Sequence, residues 1–361
     1  MKHPIRVLQI VPSINKTSGV CQVVLNWHRH ISLSELQFDY LYTSETTISN
    51  MEEINSLGGR CYKLPNPVRH PFRFFADSCN FFKEHRYNIV HSHQTSLNFF
   101  FYPLAKIFGA KYLIHHSHLT KWSDKVLSGI RNYVMMHAVW PLITHKFACS
   151  KDAGEAYYGK GFTVVNNGID VSKFSYSAET RAKKRKELGL EKNFVIGHIG
   201  RFNIQKNHVF LIEIFERLLS LNPNAKLLLV GNGPLEDKIK KIVKEKNIQE
   251  SVIFLGARND VSSLYQAFDC FVFPSLHEGL GIVAIEAQCS GLPCVLADTL
   301  PHEAFICNYR KLGLGNPEVW AENIVDISRD YNRADCSEHV KAAGFDSKNI
   351  GQFMQNFYLE L

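Results

Sequence analysis

The sequence predicts an α/β fold made of two doubly wound parallel sheets. Three observations support this prediction. The chain has 361 residues, which is long for one domain; its short apolar runs are mostly continuous; and these runs alternate with longer helical stretches. Continuous apolar runs are typical of parallel strands covered on both faces, whereas alternating runs indicate a half-exposed sheet. A single large barrel is the alternative architecture for this length.

The first half of the chain contains one series of strands and helices. Predicted strands lie at residues 6–11, 38–42, 60–64, 89–93, 111–115 and 146–149, with helical patterns at 21–30, 72–85 and 95–108. A turn signal at 164–170 and a charged helix at 178–188 follow. The second series has strands at 194–200, 225–231, 252–255, 270–274 and 293–297.

This organisation predicts an N-terminal domain over residues 1–168, a C-terminal domain over 169–345 and a terminal segment over 346–361. Ligands of open α/β sheets bind beyond the carboxyl ends of the strands. We therefore expect the functional site in a cleft between two facing Rossmann-like halves.

Charge is distributed unevenly between the two halves. The net charge is +7, and residues 1–170 hold 18 Lys/Arg against 11 Asp/Glu, so the remainder is balanced at 23 each. A basic half suggests an anionic partner such as a phosphorylated acceptor, a membrane surface or nucleic acid, although a basic surface also favours solubility. Ordinary fractions of hydrophobic (45%) and charged (21%) residues exclude disordered, collagenous and low-complexity classes.

Cysteine usage and the N-terminus indicate a cytoplasmic protein. The nine cysteines form no C-x-x-C pair, so we expect reduced and mostly buried thiols. The first residues lead into an apolar strand without the pattern of a signal peptide. We find no uninterrupted apolar stretch of about 18 residues, so membrane contact is expected only from the surface.

The most informative motif lies at residues 271–288, where an apolar strand is followed by a loop and an apolar helix. Glu278, Gly279 and Gly281 occupy the loop, and Glu286 falls in the second turn of the helix. The glycines permit close approach of a ligand, and free N–H groups at the helix start bind anions such as phosphate. The alternative is an ordinary loop–helix junction with Glu286 on a solvated face.

This motif resembles the signature of glycosyltransferase family 4, whose members are retaining enzymes of the GT-B fold. Seven residues separate Glu278 from Glu286, with Pro-Ser-Leu before the first and Gly-Leu-Pro-Cys after the second. The resemblance implies that Glu278 contacts the donor sugar and that Glu286 contacts the ribose of the nucleotide. It also implies that backbone amides near Leu280 and Gly281 hold the diphosphate or the sugar.

A second segment, residues 196–208, agrees with this resemblance. Gly200 and Arg201 end a predicted strand, and Lys206 follows five residues after the arginine. A cationic pair on a glycine-bearing loop can neutralise the charge of a diphosphate leaving group. The resemblance assigns that role to Arg201 and Lys206, although taken alone they would more often be surface charges.

Two further loops carry glycines. In the family the loop at 254–261 lies beside the nucleotide base, so Gly256, Ala257 and Arg258 are candidates for that contact, mostly through backbone; the glycines there and at 231–234 could equally be turn residues. The segment Thr17-Ser18-Gly19 resembles the family's first loop, with Ser18 in place of the first glycine.

Four histidines follow or end two strands of the first half. Alternate strand residues share a face, so His91 and His93 point together, as do His116 and His118 if the second strand continues. Zinc would need three or four converging ligands; the histidines could also be structural or surround the sugar and acceptor. The resemblance favours the last role and places the functional histidine at His118, with His91 and His93 on the acceptor side.

Basic and aromatic residues mix at 69–86 and 121–125, a pattern found in membrane-interface helices and, more often, in cores with a solvated edge. We find no RNA-binding motif, so nucleic acid is not an expected partner. The chain also lacks a G-x-G-x-x-G after its first strand, which argues against an NAD enzyme.

The resemblance as a whole implies a retaining glycosyltransferase of bacterial capsule, exopolysaccharide or O-antigen assembly. The expected donor is a nucleotide-diphosphate sugar, most simply a UDP-sugar, and the expected acceptor is a saccharide linked to a lipid diphosphate. No metal or other cofactor is expected, because the two cations take its place. It further implies that the terminal helix crosses back onto the N-terminal domain. A UDP-sugar epimerase and an inactive scaffold on the same fold are the alternatives.

Overall fold

A computed structural model describes residues 4–16, 18–44, 48–123, 126–329, 333 and 335–361. The chain forms two compact units. The N-terminal unit contains Met1–Gly168 together with Ser347–Leu361, and the C-terminal unit contains Ile169–Asp346. Each unit is built on a parallel sheet, which confirms the predicted fold class.

The N-terminal unit carries a parallel sheet with seven strands among the described residues. In chain order they are β1 (Ile5–Ile10), β2 (Leu36–Tyr42), β3 (Cys61–Lys63), β4 (Ile89–Ser92), β5 (Tyr112–Ser117), β6 (His145–Ala148) and β7 (Thr163–Val164). Their order across the sheet is β3-β2-β1-β4-β5-β6-β7. The strand order therefore reverses between β1 and β4, and such a switch point opens a crevice at the carboxyl ends of both strands.

In the described part of this unit, six α-helices connect the strands. They are α1 (Gly19–His28), α2 (Met51–Ser56), α3 (Pro71–Glu84), α4 (Asn98–Ile107), α5 (Val126–Ala138) and α6 (Lys151–Tyr158). Helix α3 shows how the aromatic-rich segment is used: Phe74 and Phe82 are buried in the core, whereas Phe72 is 91% exposed. This part of the segment is therefore a core helix with an exposed edge, and its contact with a membrane stays a prediction.

The C-terminal unit repeats the architecture with six strands in the part of the chain described. They are β8 (Phe194–Ile199), β9 (Ala225–Val230), β10 (Val252–Gly256), β11 (Cys270–Phe273), β12 (Cys294–Ala297) and β13 (Tyr309–Leu312). The order is β10-β9-β8-β11-β12-β13, so the switch point lies between β8 and β11. The helices are α7 (Val171–Phe174), α8 (Ala178–Glu187), α9 (His208–Leu221), α10 (Glu236–Glu245), α11 (Val261–Ala267), α12 (Ile282–Cys289), α13 (Pro317–Arg329) and α14 (Ser337–Ala342).

Asp269, immediately before β11, ties the C-terminal unit together. Its carboxylate accepts hydrogen bonds from Arg185 at 2.9 Å, from Arg181 and from the backbone N–H of Val195 at 2.7 Å. Only 5% of Asp269 is exposed. Because a buried carboxylate is costly unless it is paired, this cluster explains how the charged helix α8 remains against the sheet.

The last helix, α15 (Ser347–Leu359), packs on α1 within the N-terminal unit. Gly351 permits this approach, since a Cβ there would lie 2.8 Å from Cβ of His30. Tyr358 near the end of α15 is fully buried, and its hydroxyl accepts a hydrogen bond from Gln9 of β1 at 3.0 Å. The helix thereby reaches the first strand of the sheet.

Two strands were absent from the sequence prediction. Strand β7 overlaps the first residue of the segment 164–170, which we interpreted as a turn. Strand β13 lies at the edge of its sheet, where the side chains of Tyr309 and Lys311 are exposed. All nine cysteines lie within the described residues and have free thiols. Among the described helices, none has both the length and the apolar character needed to cross a membrane.

Candidate functional site

The loops after β8 and β11 meet at the switch point of the C-terminal sheet. The backbone N–H of Leu276 donates to the carbonyl of Gln205 at 2.8 Å, and the side-chain amide of Gln205 donates to the carbonyl of His277 at 2.8 Å. These two bonds fasten the loop that carries Lys206 to the loop that carries Glu278. The two motifs identified in the sequence therefore form one site.

Lys206 and Glu278 are paired in this site. Nζ of Lys206 lies 2.7 Å from Oε1 of Glu278, and the hydroxyl of Ser275 donates to the same oxygen at 2.5 Å. The side chains of the pair are 14% and 9% exposed, respectively. Gly200 makes room for this arrangement, because a Cβ there would lie 3.1 Å from the lysine chain. An ammonium and a carboxylate are thus held beside a glycine-lined backbone.

Arg201 takes a different position from Lys206. Its side chain is exposed and forms no ion pair with any residue in the described ranges. The structure therefore brings Lys206, but not Arg201, into contact with Glu278. The guanidinium is available for an anionic ligand at the mouth of the same loop.

The turn after Glu278 creates an anion site at the start of α12. Gly281 precedes the helix with φ +79°, a left-handed conformation that favours glycine, and it supplies no side-chain cap. The N–H of Ala284 donates to the carbonyl of Gly281 at 2.8 Å, and the N–H groups of Ile282 and Val283 lie at the positive end of the helix dipole, where an anion is favoured. Leu280 is buried, so within the turn Gly279, Leu280 and Gly281 present mainly backbone.

Glu286 lies half-buried on α12 rather than on a fully solvated face. Its Oε2 is 2.9 Å from the hydroxyl of Tyr265 on α11. Burial raises the pKa of Glu286 to about 7, and the contact with Tyr265 and the charge of Lys173 offset part of the effect. Tyr265 itself was not predicted, since a tyrosine inside an apolar helix gives no functional signal.

The glycines after the other strands have two different roles: one allows two loops to pack closely, and another leaves the backbone open to a ligand. A Cβ on Gly231 would lie 2.1 Å from the carbonyl oxygen of Gly200, so this glycine allows two loops to touch. Gly256 has φ +64° and open surroundings. The Arg258 guanidinium makes two bonds of 2.8 Å to Asp260 and holds the pKa of that carboxyl well below its usual range. Contacts from this loop to a base would therefore use backbone.

In the N-terminal unit, the first loop leads into α1. Ser18 precedes the helix, and its hydroxyl accepts a hydrogen bond of 3.5 Å from the N–H of Cys21. A Cβ added to Gly19 would meet no atom within 4 Å, so backbone at this point is open to a ligand. Thr17 lies outside the described residues.

The four histidines gather on one face of the N-terminal sheet. Strand β5 continues to Ser117, and the rings of His116 and His118 stack at 4.4 Å, as the rings of His91 and His93 do at 4.5 Å. Burial holds the pKa values of all four below the usual range, to about 4 for His118. His118 is the most exposed member of the group.

Hydrogen bonds order part of this cluster. Nε2 of His93 lies 3.0 Å from Oε1 of Gln9, and Nδ1 of His93 lies 2.8 Å from Nε2 of His118. Nδ1 of His91 lies 2.5 Å from the hydroxyl of Tyr358. Sequence reasoning missed Gln9 and Tyr358; a polar glutamine in an otherwise apolar strand was the available signal.

Comparisons with known proteins find one family of enzymes. The family model for glycosyl transferases group 1 matches residues 180–343. A putative glycosyltransferase, EpsF of Bacillus subtilis, is 31% identical, with 97% of this chain and 95% of that protein covered. An Escherichia coli UDP-Gal:α-D-GlcNAc-diphosphoundecaprenol α-1,3-galactosyltransferase is 27% identical over 63% of this chain and 62% of that protein.

Solved structures share the fold over almost the whole chain. Anabaena HepE in complex with UDP and glucose has a TM-score of 0.82 at 19% identity and covers 99% of this chain and 100% of its own. WaaG, a glycosyltransferase involved in lipopolysaccharide biosynthesis, has a TM-score of 0.76 at 16% identity, covering 97% and 99%. These similarities confirm the predicted GT-B fold.

Proposed function

Because the chain belongs to the group 1 glycosyltransferase family, we propose that it transfers a sugar from a UDP-sugar to a saccharide acceptor with retention of anomeric configuration. The observation that carries the proposal is the Lys206–Glu278 pair beside the uncapped start of α12. A diphosphate needs cations and N–H donors, and a sugar needs a hydroxyl acceptor. Both kinds of group converge at this point.

The chemistry follows from the charge that develops as the donor breaks. When the bond between the anomeric carbon and the diphosphate oxygen cleaves, negative charge accumulates on the UDP leaving group. Lys206 has two N–H groups beyond the one that faces Glu278, and Arg201 adds an exposed guanidinium. These cations stabilise the leaving group, while Glu278 orients a sugar hydroxyl and Glu286 the ribose. We expect the acceptor to attack the same face of an oxocarbenium-like sugar.

We assign the backbone of the surrounding loops to the rest of the donor. Amides of Gly279, Leu280 and Gly281 hold the diphosphate or sugar, and the open backbone at Gly256 lies beside the base. The complexes of HepE with UDP, and with UDP and glucose, support a UDP donor. Transfer should proceed without a divalent cation because the protein's own cations occupy that role.

In the N-terminal unit we assign contact with the sugar or acceptor to His118 and positioning to His91 and His93. His118 retains partial exposure, whereas His91 is fully buried and His93 is 7% exposed. His93 reaches His118 through the 2.8 Å contact between their ring nitrogens. His93 thereby orients the ring of His118, and His91 stacks on His93 at 4.5 Å. We assign the open backbone at Gly19 to contact with the donor.

An exposed apolar–basic patch on the N-terminal unit supports a lipid-linked acceptor at a membrane surface. The patch, by which we mean the exposed residues of α3 and α5, includes Phe72 at 91% and Leu127 at 83% exposure, beside the exposed cations Arg73 and Arg131. Helix α4 packs against both helices. Apolar side chains flanked by cations favour anionic lipid surfaces. The diphosphoundecaprenol-linked substrate of the E. coli relative fits this acceptor class, as in surface-polysaccharide assembly.

Donor use is tested by incubating the full chain with a panel of UDP-, GDP- and ADP-sugars and measuring nucleotide release and product anomers. All assays contain EDTA, and we expect the parent protein to release nucleotide from one UDP-sugar. The rate of release should be at least about 100-fold lower in Lys206→Met and in Glu278→Gln than in the parent. Lys240→Met, on the surface of α10, is the matched control. Unchanged release in both folded variants would reject the proposal, as would conversion of donor to an epimer without acceptor.

Membrane contact is tested with liposomes of neutral or anionic lipid. We expect salt-sensitive binding to the anionic vesicles that is weakened by Phe72→Ser or Leu127→Ser. Leu221→Ser, at an exposed apolar position of the C-terminal unit, is the control. Equal binding by all variants would show that the patch is not the docking surface.

A further inference from the structure

Three histidines of the N-terminal unit form a compact group with a chemistry of its own. His91 and His93 come from the end of β4 and His116 from β5. One ring nitrogen from each lies within 4.8 Å of the others, and all three side chains are buried. Their ring centroids are 4.5, 5.6 and 5.3 Å apart.

The group contains polar atoms that the protein leaves without a partner. Nε2 of His91 and both ring nitrogens of His116 are buried and have no hydrogen-bond partner among the described residues. Each such atom costs about 1–3 kcal/mol, and native proteins bury few of them. Because a neutral imidazole carries a proton on one nitrogen and a lone pair on the other, His91 and His116 can each offer one ring nitrogen to a ligand at this place.

Two of the three histidines, His91 and His93, have outer contacts of the kind that metal-ligating histidines make, whereas His116 has none among the described residues. Nδ1 of His91 contacts the Tyr358 hydroxyl at 2.5 Å, and Nε2 of His93 contacts Oε1 of Gln9 at 3.0 Å. Gln9 in turn donates to Tyr358 at 3.0 Å, so these outer groups support one another. Ligating histidines usually have their second ring nitrogen held in this way, which orients the ring and leaves the other nitrogen for the ion.

We propose that His91, His93 and His116 bind one transition-metal ion, with zinc as the reference ion. A set of neutral imidazoles suits zinc, copper, nickel and cobalt rather than magnesium or calcium. Ligands about 2.0–2.1 Å from zinc place their nitrogens roughly 3.4 Å apart, so the three rings close slightly on the ion. His93 contributes Nδ1 and gives up its contact with His118, while its Nε2 stays on Gln9.

The ion would have a structural role, because it joins β4 to β5 and, through Tyr358, both strands to α15. This proposal does not involve the donor site in the C-terminal unit, although His91 and His93 are also the rings to which we assign the positioning of His118 on the acceptor side. A chain that transfers sugar without binding the ion would reject only the metal proposal, and a chain that binds the ion without transferring sugar would reject only the proposed function. Metal content therefore provides a readout separate from activity.

The test uses the full chain purified without a histidine tag. After dialysis against a weak chelator, we expect mass spectrometry to find about one zinc ion per chain. When Co²⁺ replaces zinc, we expect the absorption spectrum of tetrahedrally coordinated Co²⁺. His116→Gln should lose the ion, and Tyr358→Phe should bind it about 10–100-fold more weakly because the orienting contact is lost. His145→Gln, on neighbouring β6 outside the group, should retain it.

Circular dichroism and thermal unfolding establish that each variant is folded, and His91→Gln replaces His116→Gln if the latter is not. A folded wild-type chain that takes up no ion from micromolar zinc or cobalt would overturn the proposal. So would full metal content in both glutamine variants, since the ion would then lie elsewhere.

Discussion

Lys206 and Glu278 form an ion pair with 2.7 Å between Nζ and Oε1, and this pair joins the loops after β8 and β11. From the sequence, Lys206 was assigned to the diphosphate leaving group and Glu278 to the donor sugar, and the structure places the two side chains in direct contact. Before the donor arrives, each therefore neutralises the other. The donor's phosphate and sugar hydroxyl then add to a pair that is already oriented.

This pairing predicts strong coupling in folding stability. Lys206→Met leaves a nearly buried carboxylate without its cation and should lower the free energy of unfolding by about 3 kcal/mol. Glu278→Gln should also destabilise the protein, but the double variant should lose clearly less than the sum of the two. Denaturant unfolding of all four proteins measures the coupling. Additive losses would show that the pair is not formed in solution.

The raised pKa of Glu286 predicts a pH dependence of donor binding. Because its pKa is about 7, the carboxyl is largely protonated at pH 6 and ionised at pH 8, and the ionised form accepts hydrogen bonds from ribose hydroxyls better. UDP affinity should therefore rise across this range. Glu286→Gln removes the titration, so the difference between the two proteins separates it from the ionisation of UDP itself. Parallel pH profiles would contradict the assignment.

The same carboxyl should make folding stability fall, rather than rise, as the pH increases. Burial raises the folded-state pKa of Glu286 above the unfolded value, so the folded protein binds the proton more tightly and loses stability as the pH rises towards 7. Glu286→Gln should thus unfold at a higher denaturant concentration than the parent at pH 8, and the difference should shrink towards pH 5. Equal midpoints at pH 8 would mean that the carboxylate is not desolvated.

Asp269 should be one of the main determinants of stability in the C-terminal unit. Asp269→Ala leaves Arg185 buried without its carboxylate, and we expect a loss of about 3–5 kcal/mol in the free energy of unfolding. Asp326→Ala removes an exposed partner of Arg310 and should change stability by no more than about 0.5 kcal/mol. Similar losses in both variants, measured in denaturant, would show that the buried cluster has no special role.

Sequence reasoning predicted the order of the elements because apolar periodicity reports burial directly. It located the ends of β8 and β11, and hence the loops of Lys206 and Glu278, within one residue. It could not predict edge strand β13, because its sequence Tyr-Arg-Lys-Leu contains no continuous apolar run. Strand alternation also placed His116 and His118 on one face, as the structure confirms.

Contacts between distant segments could not be predicted. The resemblance implied that the terminal helix returns to the N-terminal domain, but Tyr358 is 267 residues from His91, and nothing in either segment shows that these two side chains meet. Tyr265 likewise reaches Glu286 only through the packing of α11 against α12. A motif can be recognised from neighbouring residues in the sequence, whereas the pKa of a side chain within it depends on residues that tertiary packing brings close.

Isothermal titration of the full chain with UDP tests the central claim, a donor site at the carboxyl ends of β8 and β11, most directly. We predict saturable binding that weakens at least about tenfold in Arg201→Ala, because its exposed guanidinium is lost to the diphosphate. Arg329→Ala, an exposed arginine at the end of α13, should bind as the parent does. Absence of UDP binding by the folded protein, or the same affinity in Arg201→Ala as in the parent, would contradict the account.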